Sequence, residues 1–180
     1  TAWQGLPLRA KQRFLQAGKA ALQTPIAPLP LSLWLDFTHT GRRMPWETAY
    51  FSRRARLCAL VSAECVEHKG RFLDAIADTV WAICEESAWQ LPAHNSYVRD
   101  TPQLPLPDTT RPIVDLFAAE TGALLALARY LLPDELDTAA PGITARMEQE
   151  LNARILTPYF TSHFWWMGNG EEPMLSLIHI

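Results

Sequence analysis

Fourteen prolines punctuate this 180-residue chain, and they cluster. Pro25, Pro28, Pro30 and Pro45 mark one region, Pro92, Pro102, Pro105, Pro107 and Pro112 a second, and Pro133 and Pro141 stand further on. Proline lacks the amide hydrogen and crowds the preceding helical turn, so regular structure is confined to the stretches between clusters. In those stretches apolar residues recur three and four apart, the period of a helix with one buried face. Little in the chain reads as strand, and the expected fold class is all-α.

Residues 7 to 23 set Leu8, Phe14, Leu15, Ala21 and Leu22 among Arg9, Lys11, Arg13 and Lys19, an amphipathic helix ending before Thr24-Pro25. The span 25 to 45 is a predicted loop with at most one brief extended piece, Leu33-Trp34-Leu35-Asp36-Phe37-Thr38. From Trp46 to His68 the residues Trp46, Tyr50, Leu57, Leu60 and Val61 form one stripe, and Gly70 is the predicted stop. A helix from about 71 to 89 is apolar on more than one face and should be more deeply buried. After a loop from 90 to 112, the helix from about Ile113 to Leu132 has only Asp115, Glu120 and Arg129 charged and should be packed nearly all round. A last helix, about 142 to 160, carries Ile143, Met147, Leu151 and Ile155 at every fourth place. This alternation of more and less exposed helices predicts a layered array of antiparallel helical hairpins, a toroid rather than a single four-helix bundle.

A hydrophobic fraction of 48% with seven Trp predicts a substantial core, and no apolar run is long enough to span a bilayer. The net charge of -3 and the absence of basic residues interleaved with aromatics argue against nucleic acid as a partner. Cys58 and Cys65 lie seven residues apart on one predicted helix, too far along its axis to bridge. With Cys84 they read as buried thiols, compatible with a reducing compartment. The sequence shows no metal-ligand spacing, P-loop, dinucleotide fingerprint or nucleophile elbow.

The segment Trp81-Ala82-Ile83-Cys84-Glu85-Glu86-Ser87-Ala88-Trp89-Gln90-Leu91-Pro92-Ala93-His94-Asn95 is where chemistry is expected. An apolar helix delivers two carboxylates and breaks into a loop bearing an imidazole and an amide, and such groups are costly to place beside a core unless they bind or react. Glu85, Glu86, Trp89, His94 and Asn95 are therefore candidate substrate-binding residues. The bland readings are a solvated Glu at a helix end, and a His or Asn satisfying loop backbone. Asp115 is explained by the dipole of the helix it begins. Glu120 interrupts an apolar helix and joins the candidates, with pairing to an Arg of a neighbouring helix as its structural explanation. Tyr159, Phe160, His163, Phe164, Trp165 and Trp166 form an aromatic cluster, of which Tyr159, Trp165 and Trp166 are candidates to face sugar rings unless they pack in the core.

The runs Cys84-Glu85-Glu86-Ser87-x-Trp89-x-Leu91-Pro92-Ala93-His94-Asn95, Val114-Asp115-Leu116-Phe117-Ala118-Ala119-Glu120-Thr121, Arg154-Ile155-Leu156-Thr157-Pro158-Tyr159 and Trp165-Trp166-Met167-Gly168 together resemble the N-terminal helical domain of heparinase II/III-like proteins. The resemblance covers roughly residues 45 to 174 and is specific as an ordered set. It implies an (α/α) toroid followed by a β-sandwich domain, and β-elimination on an acidic polysaccharide or oligosaccharide. In that chemistry Asn, His or Glu neutralises a uronate carboxylate, Tyr or His removes the C5 proton, and Tyr commonly protonates the leaving oxygen. No nucleotide cofactor is implied, although a structural metal in the β domain is compatible with it.

The resemblance also leads one to expect an Asn-bearing segment beyond Gly168, with further Tyr and His residues later. The chain starts without Met, and Leu175-Ser176-Leu177-Ile178-His179-Ile180 is what CTG TCT CTT ATA CAC ATC, a transposase-end adaptor, would encode. Residues 1 to 174 are accordingly expected to be part of one toroid, incomplete at both ends, inactive alone, and exposing apolar helix faces meant for neighbours. Catalytic residues are expected mostly beyond 174. A glycoside hydrolase using Glu85 and Glu120 as its carboxylate pair, and a non-catalytic carbohydrate-binding or scaffold toroid, are the alternatives.

Overall fold

The computed structural model describes residues 2 to 168, and every regular element among them is helical. The helices are α1 (Leu8–Gln23), α2 (Leu31–Thr40), α3 (Met44–Glu67), α4 (Leu73–Cys84), α5 (Leu116–Leu131), α6 (Pro133–Ala139), α7 (Ile143–Leu151) and α8 (Thr157–Thr161). Asn169 and the 175–180 segment lie outside the described residues.

Helix α3 organises the array because small residues let α1 lie directly on it. A Cβ added at Gly18 would stand 2.3 Å from the Cβ of Ala63. Further along, Arg56 of α3 donates to the carbonyls of Ala21 and Thr24 at the C-terminal end of α1, so the pair runs antiparallel. His68 ends α3 in the left-handed region (φ 54°), two residues before Gly70. The buried carboxylate of Glu64 then accepts from the amides of Gly70 (2.7 Å) and Phe72 (3.1 Å), closing an antiparallel α3–α4 hairpin. A third antiparallel pair joins α5 to α7 and the turn that follows it: Gly122 lies against Leu151 and Ile155, and Arg129 bonds Glu148 at 2.8 Å.

Between these pairs Leu57, Leu60, Phe72, Ile76, Val80, Ile83, Leu125, Leu136 and Met147 are fully enclosed. Each such side chain contributes about 1.5–3 kcal/mol relative to exposure. A second, smaller cluster packs Trp34, Trp46, Tyr50, Ala88 and Leu91, and it sits beside the candidate segment.

Several expectations need correction. Residues 33 to 38 are helical, inside α2, which Pro30 precedes and Gly41 (φ 74°) stops. Only Trp34 of that helix is buried, so the apparent strand alternation has no second sheet face to serve. Helix α4 ends at Cys84 rather than 89, because side chains take its last carbonyls: Trp89 Nε1 bonds Ile83 O at 3.0 Å and Arg154 bonds Cys84 O at 2.9 Å. Helix α5 is not enclosed all round, since Glu120, Ala123, Leu127 and Tyr130 face outward, Tyr130 at 80% exposure. The last helix is broken by a π turn over Asn152–Leu156, just before Pro158, which has no amide hydrogen for the Arg154 carbonyl. Cys65 and Cys84 are buried, but Cys58 is exposed. The short α6, which buries Leu136, was not legible between its flanking prolines.

Candidate functional site

Beyond α4 the chain turns through Glu85–Ala88, and two consecutive arginines of α3 fix that turn. Arg54 grips Glu86 with both branches of its guanidinium, Nη1 to Oε1 at 2.7 Å and Nη2 to Oε2 at 2.6 Å. Arg53 reaches the same Oε1 at 3.1 Å and also donates to the carbonyls of Ala27 and Ala82. The Glu86 side chain is 2% exposed. Its charge is thus spent inside the protein. Arg54 further lies 3.3 Å from the centre of the Tyr50 ring. The Tyr50 hydroxyl is within hydrogen-bond distance of Trp89 O (2.7 Å), Phe117 O (3.0 Å) and Thr121 Oγ1 (2.8 Å). Burial pushes this phenol well above its ordinary range, so it remains a donor.

The next loop is closed by two side chains in succession. Asn95 is completely buried; its Oδ1 accepts from Gln90 Nε2 at 3.1 Å and its Nδ2 donates to Leu104 O at 2.8 Å. His94 does something different. Its Nδ1 lies 2.6 Å from Asp115 Oδ2, and its ring stacks on Phe117 at 5.7 Å. Asp115 is held by its own duties, accepting from Ala118 N at 2.7 Å as the N-cap of α5 and from Leu91 N at 3.3 Å. A carboxylate accepting at Nδ1 holds a proton there and leaves Nε2 as the ring's unengaged nitrogen. No other hydrogen bond to the ring occurs among the described residues.

Glu85 is half-exposed and pairs with Arg146 at 3.0 Å. Glu120 is exposed without an ion pair among the described residues, and it borders a cleft of about 290 Å3 with Tyr50, Phe51, Cys58 and Phe117. Glu85 borders different clefts, so the two carboxylates do not face each other across one. Trp89 is 2% exposed and belongs to the core. Trp166 is half-buried, stacks on Phe164 and donates Nε1 to Val114 O at 2.8 Å, which brings the aromatic segment against the residue before Asp115. Trp165 is also half-buried, while Tyr159 (47%) and Phe160 (77%) stand exposed on α8.

The structure therefore brings together Glu86 with Arg53 and Arg54, and His94 with Asp115; Glu120 bonds to neither pair but shares its cleft with Arg54 and Phe117, and Tyr159 stands exposed on α8. Sequence reasoning missed Arg53, Arg54, Arg154 and the pairing role of Asp115. Arg154 donates to Glu86 O at 2.5 Å and to Cys84 O, and lies over Trp89. Its place in the Arg154-to-Tyr159 motif was the available signal.

No group of three or more His, Cys, Asp or Glu that could hold a metal ion occurs among the described residues. No single described helix is long and apolar enough to cross a membrane. Compared with known proteins, the chain matches no family model and no curated protein.

Proposed function

We propose that the chain is part of the helical toroid of a heparinase II/III-like polysaccharide lyase, acting on a uronic-acid-containing glycan by β-elimination. The ordered motifs and the three antiparallel helix pairs are in keeping with this reading. The observation that carries it is the His94–Asp115 pair. Elimination needs a group that answers the uronate carboxylate or takes the C5 proton, and an imidazole oriented by a buried carboxylate can do either. In this reading His94 acts through Nε2, the edge of a side chain that is 10% exposed, and Phe117 stacks on the ring. Glu86, with its charge consumed by two arginines, instead holds the turn that frames the neighbouring clefts. Glu85 and Glu120, lining separate clefts, do not supply the carboxylate pair that glycoside hydrolysis requires.

The test is calorimetry of residues 1 to 180 with oligogalacturonate, oligoguluronate and heparan oligosaccharides, alongside absorbance for unsaturated uronate ends. The expected result is binding of one acidic class without turnover, weakened at least tenfold by His94→Gln, in which the amide can still donate to Asp115. Failure of every acidic oligosaccharide to bind, or binding indifferent to His94→Gln, would overturn the reading.

A further inference from the structure

We propose that the groove straddling the Glu85–Ala88 turn binds an uncharged stretch of sugar chain. Two clefts, of about 490 and 460 Å3, share Glu85, Glu86, Ser87, Ala88 and Thr109, so they adjoin on either side of that turn. Each cleft has the volume typical of a small-ligand site, and together they suit an elongated ligand better than a compact one.

The two clefts differ in chemistry. On one side Trp34, Trp46 and Trp81 stand with Leu106 and Pro107. Trp81 is 52% exposed although α4 is otherwise enclosed on its apolar positions, and Arg146 stands 5.3 Å from its ring centre. A half-exposed indole at the wall of a cleft is a surface on which the C–H face of a pyranose packs. Trp46 is 7% exposed, and its indole N–H has no acceptor among the described residues. The other side presents the Asp108 carboxylate and the Thr110 hydroxyl, which donates to it at 2.7 Å, while Thr109 is common to both. These are groups that exchange hydrogen bonds with hydroxyls.

Charge decides which sugar. The groove is bordered by the carboxylates of Glu85, Glu86, Asp108 and Glu150 and by three guanidiniums, and each guanidinium is already engaged. Arg53 is held by Glu86 and two carbonyls, Arg146 by Glu85 (3.0 Å) and Glu150 (2.8 Å), and Arg154 by Glu150 and the carbonyls of Cys84 and Glu86. Among the described residues each guanidinium at the groove already has its acceptors, so a uronate or sulfate placed there would lose water without gaining an unengaged partner. A neutral ring loses far less and gains the indole face. The site thus selects units of the glycan that carry no charge, away from His94. The inference rests on the glycan reading for its ligand class and adds a second specificity to it.

The experiment titrates residues 1 to 180 with hexasaccharides of β-1,4-linked glucose, xylose and mannose and with hexagalacturonate, read by calorimetry and by tryptophan fluorescence. At least one uncharged hexasaccharide is expected to bind. Trp81→Ala should weaken it at least tenfold with an unchanged circular dichroism spectrum, and Trp81→Phe should restore most of the affinity. Absence of binding by all three uncharged chains, or binding unaffected by Trp81→Ala, overturns the proposal. If hexagalacturonate binds through His94 while no uncharged chain binds, this proposal alone fails; if uncharged chains bind at Trp81 and no acidic chain binds, the lyase reading fails and this one stands.

Discussion

Replacing Glu86 with Gln removes one negative charge from a place where two guanidiniums have been gathered to meet it. The bonds at 2.6, 2.7 and 3.1 Å join side chains that are only 11% exposed for each arginine and 2% for the carboxylate. Water cannot take over. Arg53 keeps two carbonyl acceptors, but Arg54 would face an amide and a hydroxyl with its charge uncompensated. Removing one member of a buried ion cluster costs about 3–5 kcal/mol, against about 0–1 kcal/mol for an exposed pair. With a urea slope of about 2–3 kcal/mol/M, the unfolding midpoint should fall by about 1–2 M. The assay is urea denaturation followed by tryptophan fluorescence, with Arg54→Gln and the Glu86→Gln/Arg54→Gln double variant completing a cycle. The double variant should recover part of the loss, because it leaves fewer unpaired charges. A midpoint shift below about 0.5 M for Glu86→Gln, or strictly additive losses, would refute the view that this is a desolvated network; if Glu86→Gln does not fold, Arg54→Lys, which keeps the charge and loses the two-pronged grip, should show a smaller fall.

Four further outcomes are expected. Gly18→Ala should destabilise by about 1–3 kcal/mol despite the better helix propensity of Ala, because its Cβ would meet Ala63 at 2.3 Å and Phe72 at 3.1 Å; a thermal midpoint at or above that of the parent chain would contradict the close α1–α3 contact. Asp115→Ala removes the α5 N-cap and the His94 anchor together, with a loss of about 2–4 kcal/mol expected in urea denaturation, more than the roughly 1 kcal/mol of a cap alone. Cys58 should be alkylated quickly in the native chain while Cys65 and Cys84 are protected. Burial holds those two thiols up at about 11, above their ordinary 9.0, so the folded state retains protons that the unfolded state gives up. Their contribution is therefore full below pH 9 and is lost as pH rises toward 11; a thermal midpoint that stays level over that range in the parent chain, or a fall left undiminished in Cys65→Ala/Cys84→Ala, would contradict it.

How far the sequence reached differs between fold and site. The core-facing stripes of α3 and α7 were legible because Leu57, Leu60 and Val61, or Ile143 and Met147, recur at helical period and do become buried, whereas on α1 only Ala21 of the expected set is buried and Leu8 stays 71% exposed. The 90–112 loop was legible from its prolines, and it contains only the short 3-10 turn Pro92–His94. Helix α2 was misread because Leu33, Leu35 and Phe37 also fit a strand, and only the flanking Pro30 and Gly41 favoured the helix. In the candidate site, the 81–95 segment was marked correctly as a place where polar groups meet a core. Its members then took unlike roles: Asn95 closes the loop, Trp89 fills the core, Glu86 joins two arginines, and His94 meets a carboxylate.

By itself the sequence determined that this chain forms helices, where prolines interrupt them, and which faces must leave water. Those outcomes depend on backbone propensity and on apolar spacing within a few turns, which neighbouring residues set. Only the tertiary structure decided that Asp115, 21 positions from His94, would orient its ring, and that Arg53 and Arg54, 33 and 32 positions from Glu86, would neutralise it. Charge pairing and desolvation act through space, so they depend on the angle and distance at which helices meet, and no local pattern along the chain encodes that meeting.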